Sequence, residues 1–434
     1  MFKSSSAEIN EELVQAWAKN YVLCIADRQK ILRGKRIEAV MDHLEKVLDA
    51  FSKERVGAQH FASVTGFGHG DQGREVIDRV FARVLGAESA AVRTQFVSGT
   101  HAIAASLFGT LRPGDHLLSV TGRPYDTLEE VIGLRGRGQG SLSEFGVLYE
   151  ELKLNENGSI DFLSLEKALE TSRRMVFIQR SCGYSWRASL SIEALKEICS
   201  LVHDKQPECV CFVDNCYGEF VEDKEPCEVG ADLIAGSLIK NLGGTIVPTG
   251  GYVAGKTDLV IKACCRLTSP GIGIEAGTGF DLNRVLLQGL FLAPQMVSEA
   301  LIGADLVSGV FAGLGFEVNP VVGQHRSDLI QAVRLGDPDA LQVVCKAFQL
   351  CSPVGAYLDP VPASMPGYNN ELIMAGGTFI DGSTSEFSAD APLRPPYNLY
   401  VQGGTHHSHV KIALIRAICE LFKAGFLTLP QTGG

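Results

Sequence analysis

Three short segments carry side chains that are suited to holding a small cofactor. Ser98-Gly99-Thr100 lies between a predicted strand and a predicted helix. Free backbone N–H groups and the helix dipole favour a phosphate at such a turn. Asp214 ends one apolar strand, and Lys240 directly follows the next. Parallel sheets bind their ligands at the carboxyl ends of their strands, so we expect these side chains to lie near a ligand.

Each segment also has an ordinary structural explanation. Ser98 or Thr100 could simply cap the helix that begins there. Asp214 could cap the turn after its strand, with no ligand present. Lys240 could be a solvated surface lysine, which is the usual state of lysine. Taken one at a time, the three motifs are therefore weak.

Together the three segments match the requirements of pyridoxal 5′-phosphate (PLP). PLP needs a lysine for its aldehyde, an anion site for its phosphate and an acid against its pyridine nitrogen. A partly desolvated lysine at a strand end, such as Lys240, is expected to have a lowered pKa and can form a Schiff base. The order phosphate turn, Asp214, Lys240 is the order that the most common PLP fold requires.

The apolar periodicity predicts an α/β fold with a mostly parallel sheet. Apolar runs predict strands, and a helix such as 192–202 separates two of them; the predicted strands are 92–97, 116–120, 175–179, 210–213 and 233–235. Such runs are typical of strands that helices cover on both faces. The last third is more helical and turn-rich. We predict an N-terminal helical segment over residues 1–60, a large PLP-binding α/β domain over 61–285 and a smaller C-terminal α+β domain over 286–434.

Composition limits the class of protein. The chain has 434 residues, of which 45% are hydrophobic and 21% charged, and its formal net charge is −11. The acidic balance and the lack of a basic stripe argue against nucleic acid as a partner. The apolar stretch 296–315 contains two acidic residues, so we expect no membrane span. The N-terminus lacks the apolar core of a signal peptide, and the twelve cysteines suggest reduced thiols, so a cytoplasmic location is expected.

Motifs for other cofactors are weak or absent. His406, His407 and His409 form a short cluster, but no cysteine or paired carboxylate stands near it in the sequence, so we expect no metal. A G-x-G-x-x-G turn between strand and helix and a Walker loop are both missing. A dinucleotide-binding protein is therefore disfavoured.

Eight stretches between residues 66 and 404 carry a resemblance to a known family. They are GFGHGDQGRE, QFVSGTHAI, GRPYDTLEEVIG, IQRSCGYSWR, FVDNCYGEF, SLIKNLGGTIVPTGGYVAG, SPGIGIEAG and ADAPLRPPYNLYVQGG. On these stretches the sequence resembles a fold type I PLP-dependent enzyme of the cysteine and methionine metabolism group. Within that group it is similar to the methionine gamma-lyase-like proteins, also called the aluminium resistance or cystathionine beta-lyase-like family.

The resemblance implies roles for residues around the cofactor. Lys240 would be the Schiff-base lysine and a catalytic residue, and Asp214 would be the partner of the pyridine nitrogen. Tyr125 would stack on the cofactor ring and assist proton transfer. The phosphate would be held by Ser98, Gly99, Thr100 and Ser237.

The resemblance also implies an oligomer and a substrate ligand. Arg74 resembles the arginine that reaches across a subunit interface to a neighbouring phosphate, so we expect a homodimer or homotetramer. Arg394 is the candidate for binding the carboxylate of an amino-acid substrate, although an arginine flanked by Pro395 could equally brace a turn.

The function that the resemblance implies is PLP-dependent carbon–sulfur lyase activity on a sulfur-containing amino acid. Both β-elimination, as in a cystathionine beta-lyase, and γ-elimination, as in a methionine gamma-lyase, remain open. Transamination or aldol cleavage is a nearby alternative. A PLP-binding protein with a regulatory, non-catalytic role is an alternative from a different class.

Overall fold

The computed structural model describes residues 11–136 and 138–428, which form two β-sheets with helices around them. The helices are α1 (Glu11–Arg28), α2 (Lys30–Lys53), α3 (Gln72–Val84), α4 (Gly99–Thr110), α5 (Asp126–Ile132), α6 (Phe162–Ala168), α7 (Ile192–Lys205), α8 (Thr257–Leu267), α9 (Asn283–Gly313), α10 (Pro338–Gln349) and α11 (His407–Lys423). The strands are β1 (Ser89–Arg93), β2 (His116–Ser119), β3 (Leu148–Glu151), β4 (Met175–Gln179), β5 (Val210–Asp214), β6 (Leu233–Ser237), β7 (Gly251–Gly255), β8 (Glu317–Asn319), β9 (Gln331–Arg334), β10 (Leu372–Ala375), β11 (Ser388–Pro392) and β12 (Asn398–Gln402).

The larger sheet is mostly parallel. Its seven strands lie in the order β1-β7-β6-β5-β4-β2-β3. Strands β3, β2, β4, β5 and β6 run parallel to their neighbours, whereas β7 is antiparallel to both β6 and β1. Every residue of β4, β5 and β6 is buried, as expected for strands with both faces covered. The register pairs Gln179 of β4 with Asp214 of β5, so their carboxyl ends lie at the same edge.

The smaller sheet is antiparallel and belongs to the last third of the chain. Its five strands lie in the order β10-β11-β12-β9-β8. Helices α10 and α11 pack against it and against each other, and α1 packs on α11. The N-terminal helix α1 therefore contributes to the core of the C-terminal part of the fold.

Helix α9 is the one helix among the described residues that is long and apolar enough to cross a membrane. Of the 18 residues in its most apolar stretch, 61% are buried within the protein. It packs on α2, α11 and β9. Its buried Asp305 pairs with Arg326 and Arg36, which gives the carboxylate two cations inside the fold. These contacts are those of a core helix.

The predicted fold class is confirmed: a large, mostly parallel sheet stands beside a smaller α+β unit. One local prediction is wrong. The strand predicted over 92–97 is β1, Ser89–Arg93, and residues 94–97 form a turn. Helix α2 lies within the predicted helical segment, and it is buried at Val47 but exposed at Ile37 and Met41. The domain boundaries at residues 60 and 285 stay predictions.

Candidate cofactor and substrate site

A cavity of about 220 Å³ opens at the carboxyl edge of the larger sheet. Gln179, Asp214 and Ser237, the last residues of β4, β5 and β6, line it from one side. Asp390 of β11 lines it from the smaller sheet. The structure brings seven sequence-predicted site residues to this one cavity: Ser98, Gly99, Thr100, Tyr125, Asp214, Ser237 and Lys240.

The N-terminus of α4 forms one end of the cavity. Ser98 caps the helix, since its hydroxyl accepts a hydrogen bond from the His101 N–H at 3.1 Å, and the hydroxyl proton stays available to donate. In the described chain, the N–H groups of Gly99 and Thr100 have no partner. A Cβ on Gly99 would lie 3.1 Å from the Ser237 Cβ, so only glycine keeps this corner open. Free N–H groups at a helix N-terminus fit a phosphate.

Asp214 presents one carboxylate oxygen to the cavity. Its Oδ1 accepts a hydrogen bond from the Cys216 N–H at 3.1 Å, so the residue also caps its turn. Within the described chain, no N–H or O–H donor reaches Oδ2, apart from the weak thiol of Cys216. Burial raises the pKa of Asp214, and the charge of Lys240 lowers it. A buried acid with an open oxygen fits a protonated ring nitrogen.

Lys240 is mostly buried and lies among the groups that stabilise its charge. Its ammonium lies 3.8 Å from the centre of the Tyr217 ring, a cation–π distance. Burial lowers the pKa of Lys240, but Cys216, Tyr217 and Asp214 raise it, and the net shift is upward. The lowered pKa predicted from the sequence is therefore wrong for the protein without a ligand, because the neighbouring groups outweigh desolvation.

Tyr217 also lines the cavity, although no sequence motif pointed to it. Its φ of +72° puts a non-glycine residue in the left-handed region, which costs free energy and is often found at functional sites. This backbone conformation places the ring beneath the Lys240 ammonium. Burial raises the pKa of Tyr217 to about 12, so the phenol stays neutral beside the lysine.

Three further tyrosines, Tyr125, Tyr184 and Tyr368, form a tyrosine wall of the cavity. The hydroxyls of Tyr125 and Tyr368 lie 2.9 Å apart, and the rings of Tyr125 and Tyr184 lie 5.3 Å apart. The Tyr125 N–H donates to the Gln179 side chain at 2.8 Å, which fixes the start of α5 against β4. Burial raises the pKa of Tyr125, so its hydroxyl stays protonated and can donate a proton.

Asp390 is a second carboxylate of the cavity that the sequence analysis missed. It stands in the sequence Ala389-Asp390-Ala391, at the start of the stretch ADAPLRPPYNLYVQGG that carries the family resemblance. A lone acid in a buried strand was the signal that singled out Asp214, and it could have found Asp390 as well. Tyr184 and Gln402 both donate hydrogen bonds to its Oδ2.

Two arginines expected at the site lie outside the cavity lining. Arg74 is buried, and its guanidinium donates to the carbonyls of Gly68 and Gly277, so it ties two loops of its own chain together. Arg394 lies beside the tyrosine wall, 3.4 Å from the Tyr184 carbonyl and 3.9 Å from the Asp126 carboxylate. Both of these Arg394 contacts are long, and 41% of the side chain is exposed. The guanidinium thus keeps donors free, and its role stays a prediction.

The histidine cluster has structural partners. His406 caps α11, and His407 bonds to the Glu299 carboxylate at 2.8 Å. His409 bonds to the carbonyl of Cys351. The sequence did not reveal the acid, because Glu299 is distant in the chain. His406, His407 and Glu299 come close enough to share an ion, with His406 exposed.

A buried acid, Glu219, supports the turn that carries Lys240. The Tyr252 hydroxyl donates to its Oε1 at 2.7 Å, and Asn241 donates to its carbonyl. Its Oε2 and the Asn241 Oδ1 are both buried without a partner. A proton on Glu219 would remove the charge from a buried oxygen that no donor reaches. In agreement, burial raises the pKa of Glu219 to about 8.

The cavity residues fit PLP. The open N–H groups at α4 suit the phosphate, the open oxygen of Asp214 suits the ring nitrogen, and the enclosed amine of Lys240 suits the aldehyde. No other function explains an anion site, an acid and a lysine around one small cavity as directly.

Comparison with known proteins agrees with this geometry. The profile of the methionine gamma-lyase family matches residues 24–422. A crystal structure from Listeria monocytogenes, described as a proposed cystathionine beta-lyase involved in aluminium resistance, is 48% identical with a TM-score of 0.89, covering 92% of this chain and 98% of that one. The crystal structure of a carbon–sulfur lyase involved in aluminium resistance from Clostridium novyi is 44% identical, with a TM-score of 0.90. The match covers 97% of this chain and 100% of that one. An uncharacterised Bacillus subtilis protein, YnbB, is 46% identical over 391 residues, 90% of this chain and 93% of its own length.

The Glu219 carboxyl predicts a pH dependence of stability. Its folded pKa of about 8 exceeds the ordinary value of 4.5, so the folded state holds the proton longer than the unfolded state. Stability is therefore lost as the pH rises from 4.5 to about 8. Glu219→Gln, which stays neutral, should weaken this fall and raise the melting temperature at pH 8.5 by about 1 °C for each kcal/mol recovered, because the entropy of unfolding grows with chain length.

Thermal unfolding between pH 5 and 9 measures the effect. Glu156→Gln, at an exposed site, is the control and should reproduce the wild-type curve. If Glu219→Gln falls in parallel with wild type across this range, the folded carboxyl is ionised and the assignment is wrong.

Proposed function

The chain belongs to the methionine gamma-lyase family, and from that membership we propose that it binds PLP at the Lys240 cavity and eliminates a thiol from a sulfur-containing amino acid. It is a PLP-dependent carbon–sulfur lyase of fold type I. The observation that carries the proposal is the meeting of Asp214 and Lys240, from successive strand ends, in one cavity with the N-terminus of α4. When bound, PLP supplies an aldehyde for the substrate amine and a ring that withdraws electrons from the α-carbon.

Lys240 and Asp214 divide the acid–base work. Asp214 keeps a proton on the ring nitrogen by offering it a buried carboxylate, an interaction that is strong because the site excludes water. Engaged in this way, Asp214 no longer stabilises the Lys240 ammonium. The pKa of the lysine then falls, and its neutral amine can take the α-proton of the substrate.

The tyrosine wall can complete the elimination. The departing sulfur needs a proton if it leaves as a thiol. Burial raises the pKa of Tyr125, so its hydroxyl stays protonated, and it lies 2.9 Å from the hydroxyl of Tyr368. The pair therefore places neutral hydroxyls in the cavity, and these can donate a hydrogen bond to the departing sulfur. The geometry is compatible with a leaving group on the β-carbon or on the γ-carbon.

A product assay separates this proposal from its rivals. Cystathionine, cysteine and methionine should be tested, and at least one should give keto acid, ammonia and thiol in equal amounts. Transamination would give a keto acid that retains the sulfur and no free ammonia. Aldol cleavage needs a β-hydroxyl, so such an enzyme would leave these three compounds intact and would release an aldehyde from threonine. A regulatory PLP-binding protein would give no product from any of the four.

The variant Asp214→Asn tests the chemistry within this assay. The amide cannot hold the ring proton, so kcat should fall on the order of 10²-fold or more while PLP stays bound. The PLP absorbance of the purified variant controls for loss of the cofactor. Near-normal turnover would show that Asp214 has only the structural role of capping its turn.

We also propose that the protein acts as a homodimer or a dimer of dimers. Large apolar side chains of three neighbouring loops, Phe67, Val97 and Phe280, are largely exposed. The loop that contains Val97 leads directly into the site, because Val97 precedes Ser98 in the sequence. A surface of this kind supports burial against a second subunit. A mass of twice 46.7 kDa or four times that value in light scattering is expected.

The cysteines support a reducing, cytoplasmic location for the enzyme. All twelve cysteines are free, and most are buried. Buried thiols of this kind pack as small apolar groups and do not require oxidation for stability.

Arg394 is proposed as the ligand of the substrate carboxylate. A guanidinium can hold a carboxylate with two parallel hydrogen bonds. Arg394→Ala should raise KM and lower kcat/KM on the order of 10²-fold, with the melting temperature little changed. Arg394→Lys restores the charge but not the paired geometry, so it should recover only part of the loss. An Arg394→Ala variant whose melting temperature falls in step with its activity would assign Arg394 to bracing the Tyr184 backbone.

A further inference from the structure

Asp390 holds an open carboxylate oxygen against the cavity. The residue lies in β11, is 6% exposed and lines the cavity wall that faces the larger sheet. Its two hydrogen bonds, from the Tyr184 hydroxyl at 2.8 Å and the Gln402 amide at 2.9 Å, both end on Oδ2. Oδ1 has no partner within the described part of the chain. Tyr184 and Gln402 thus fix the carboxylate and leave one oxygen unused.

Cofactor binding leaves Asp390 without a counter-ion. The described lining residues include two carboxylates, Asp214 and Asp390, one ammonium, Lys240, and no arginine. Burial raises the pKa of Asp390, whereas the hydrogen bonds from Gln402 and Tyr184 and the charge of Lys240 lower it. Under the proposed function, Asp214 and Lys240 are engaged with the cofactor, and no other described lining residue supplies a cation for Asp390. A buried carboxylate is costly unless a cation meets it.

The substrate can supply the missing cation only from its far end. The α-amine is engaged with the cofactor, and the α-carboxylate carries a negative charge. A positive group must therefore lie on the substituent beyond the sulfur. Tyr184 and Tyr368 offer aromatic faces along this wall, and Met374 offers an apolar surface, so methylene groups can pack there. Aromatic faces also favour an ammonium.

Resting on the proposed lyase function, we propose that Asp390 binds a second ammonium group of the substrate, carried on the sulfur substituent. The preferred substrates are then thioethers with a cationic arm, of which cystathionine is one, over methionine and other uncharged thioethers. Asp390 is the residue that sets this specificity.

A matched pair of thioethers isolates the ammonium. S-(3-aminopropyl)-L-cysteine places an amine as many bonds from sulfur as cystathionine does, but has no distal carboxylate. S-butyl-L-cysteine replaces that ammonium with a methyl group of similar size. Two quantities are compared between them: kcat/KM for pyruvate release by the holoenzyme, and the dissociation constant from calorimetry on Lys240→Ala saturated with PLP, which cannot complete elimination.

Wild-type Asp390 should favour the aminopropyl compound by about 10- to 100-fold in both quantities, the range for a hydrogen bond to a charged group. Asp390→Asn should abolish this preference, which is measured as the ratio of the two compounds and is therefore independent of any change in turnover common to both. The Asn oxygen can still accept from Tyr184 and Gln402, so the fold is kept. Asp381→Asn removes the same charge at an exposed site beside the cavity residue Gly382 and should keep the preference.

The outcomes separate the two proposals. Elimination of both compounds with no preference, or a preference that survives Asp390→Asn, would overturn the role of Asp390 and leave the lyase function intact. Preferential binding of the aminopropyl compound without elimination of either would keep the role of Asp390 and refute the lyase function. Absence of both binding preference and elimination would refute both.

Discussion

The site depends on the electrostatic balance between a buried carboxylate and a buried ammonium that issue from adjacent strands. Asp214 ends β5, and Lys240 follows β6 by three residues, so the sheet itself sets their separation. Each charge would be costly to bury alone. Their mutual stabilisation lets the larger sheet carry both at its edge, and the cavity forms where helices and the smaller sheet enclose them.

The same balance explains why the lysine is not a ready base in the protein without a ligand. Asp214 and the Tyr217 ring both favour the charged amine. When the ring nitrogen of the cofactor binds Asp214, the interaction between Asp214 and the Lys240 ammonium is lost. Cofactor binding and activation of the base are therefore coupled through one carboxylate. Asp390 lines the same cavity from the smaller sheet, and its one open oxygen is the feature from which we infer an acid for the substrate, as distinct from Asp214, an acid for the cofactor.

The part of the site that local sequence could predict is the part built from single strand ends and turns. Asp214, Lys240 and Ser98-Gly99-Thr100 are read from apolar runs and the residues that follow them. Asp390 could have been found by the same signal, but its partner Tyr184 lies 206 residues away in the chain. The raised pKa of Lys240 likewise comes from Cys216 and then from Tyr217, whose left-handed backbone no local pattern indicated. The fold class followed from periodicity, whereas the exposed face of α2 did not, because periodicity does not say what covers a helix.

The central claim is that Lys240 forms the covalent link to PLP, and borohydride reduction followed by peptide mass spectrometry tests it most directly. Reduction of the yellow holoprotein should fix the cofactor to the peptide that contains Lys240, and Lys240→Ala should show no fixed cofactor. Attachment to another lysine, or a purified protein that neither binds PLP nor is labelled after its addition, would contradict the account.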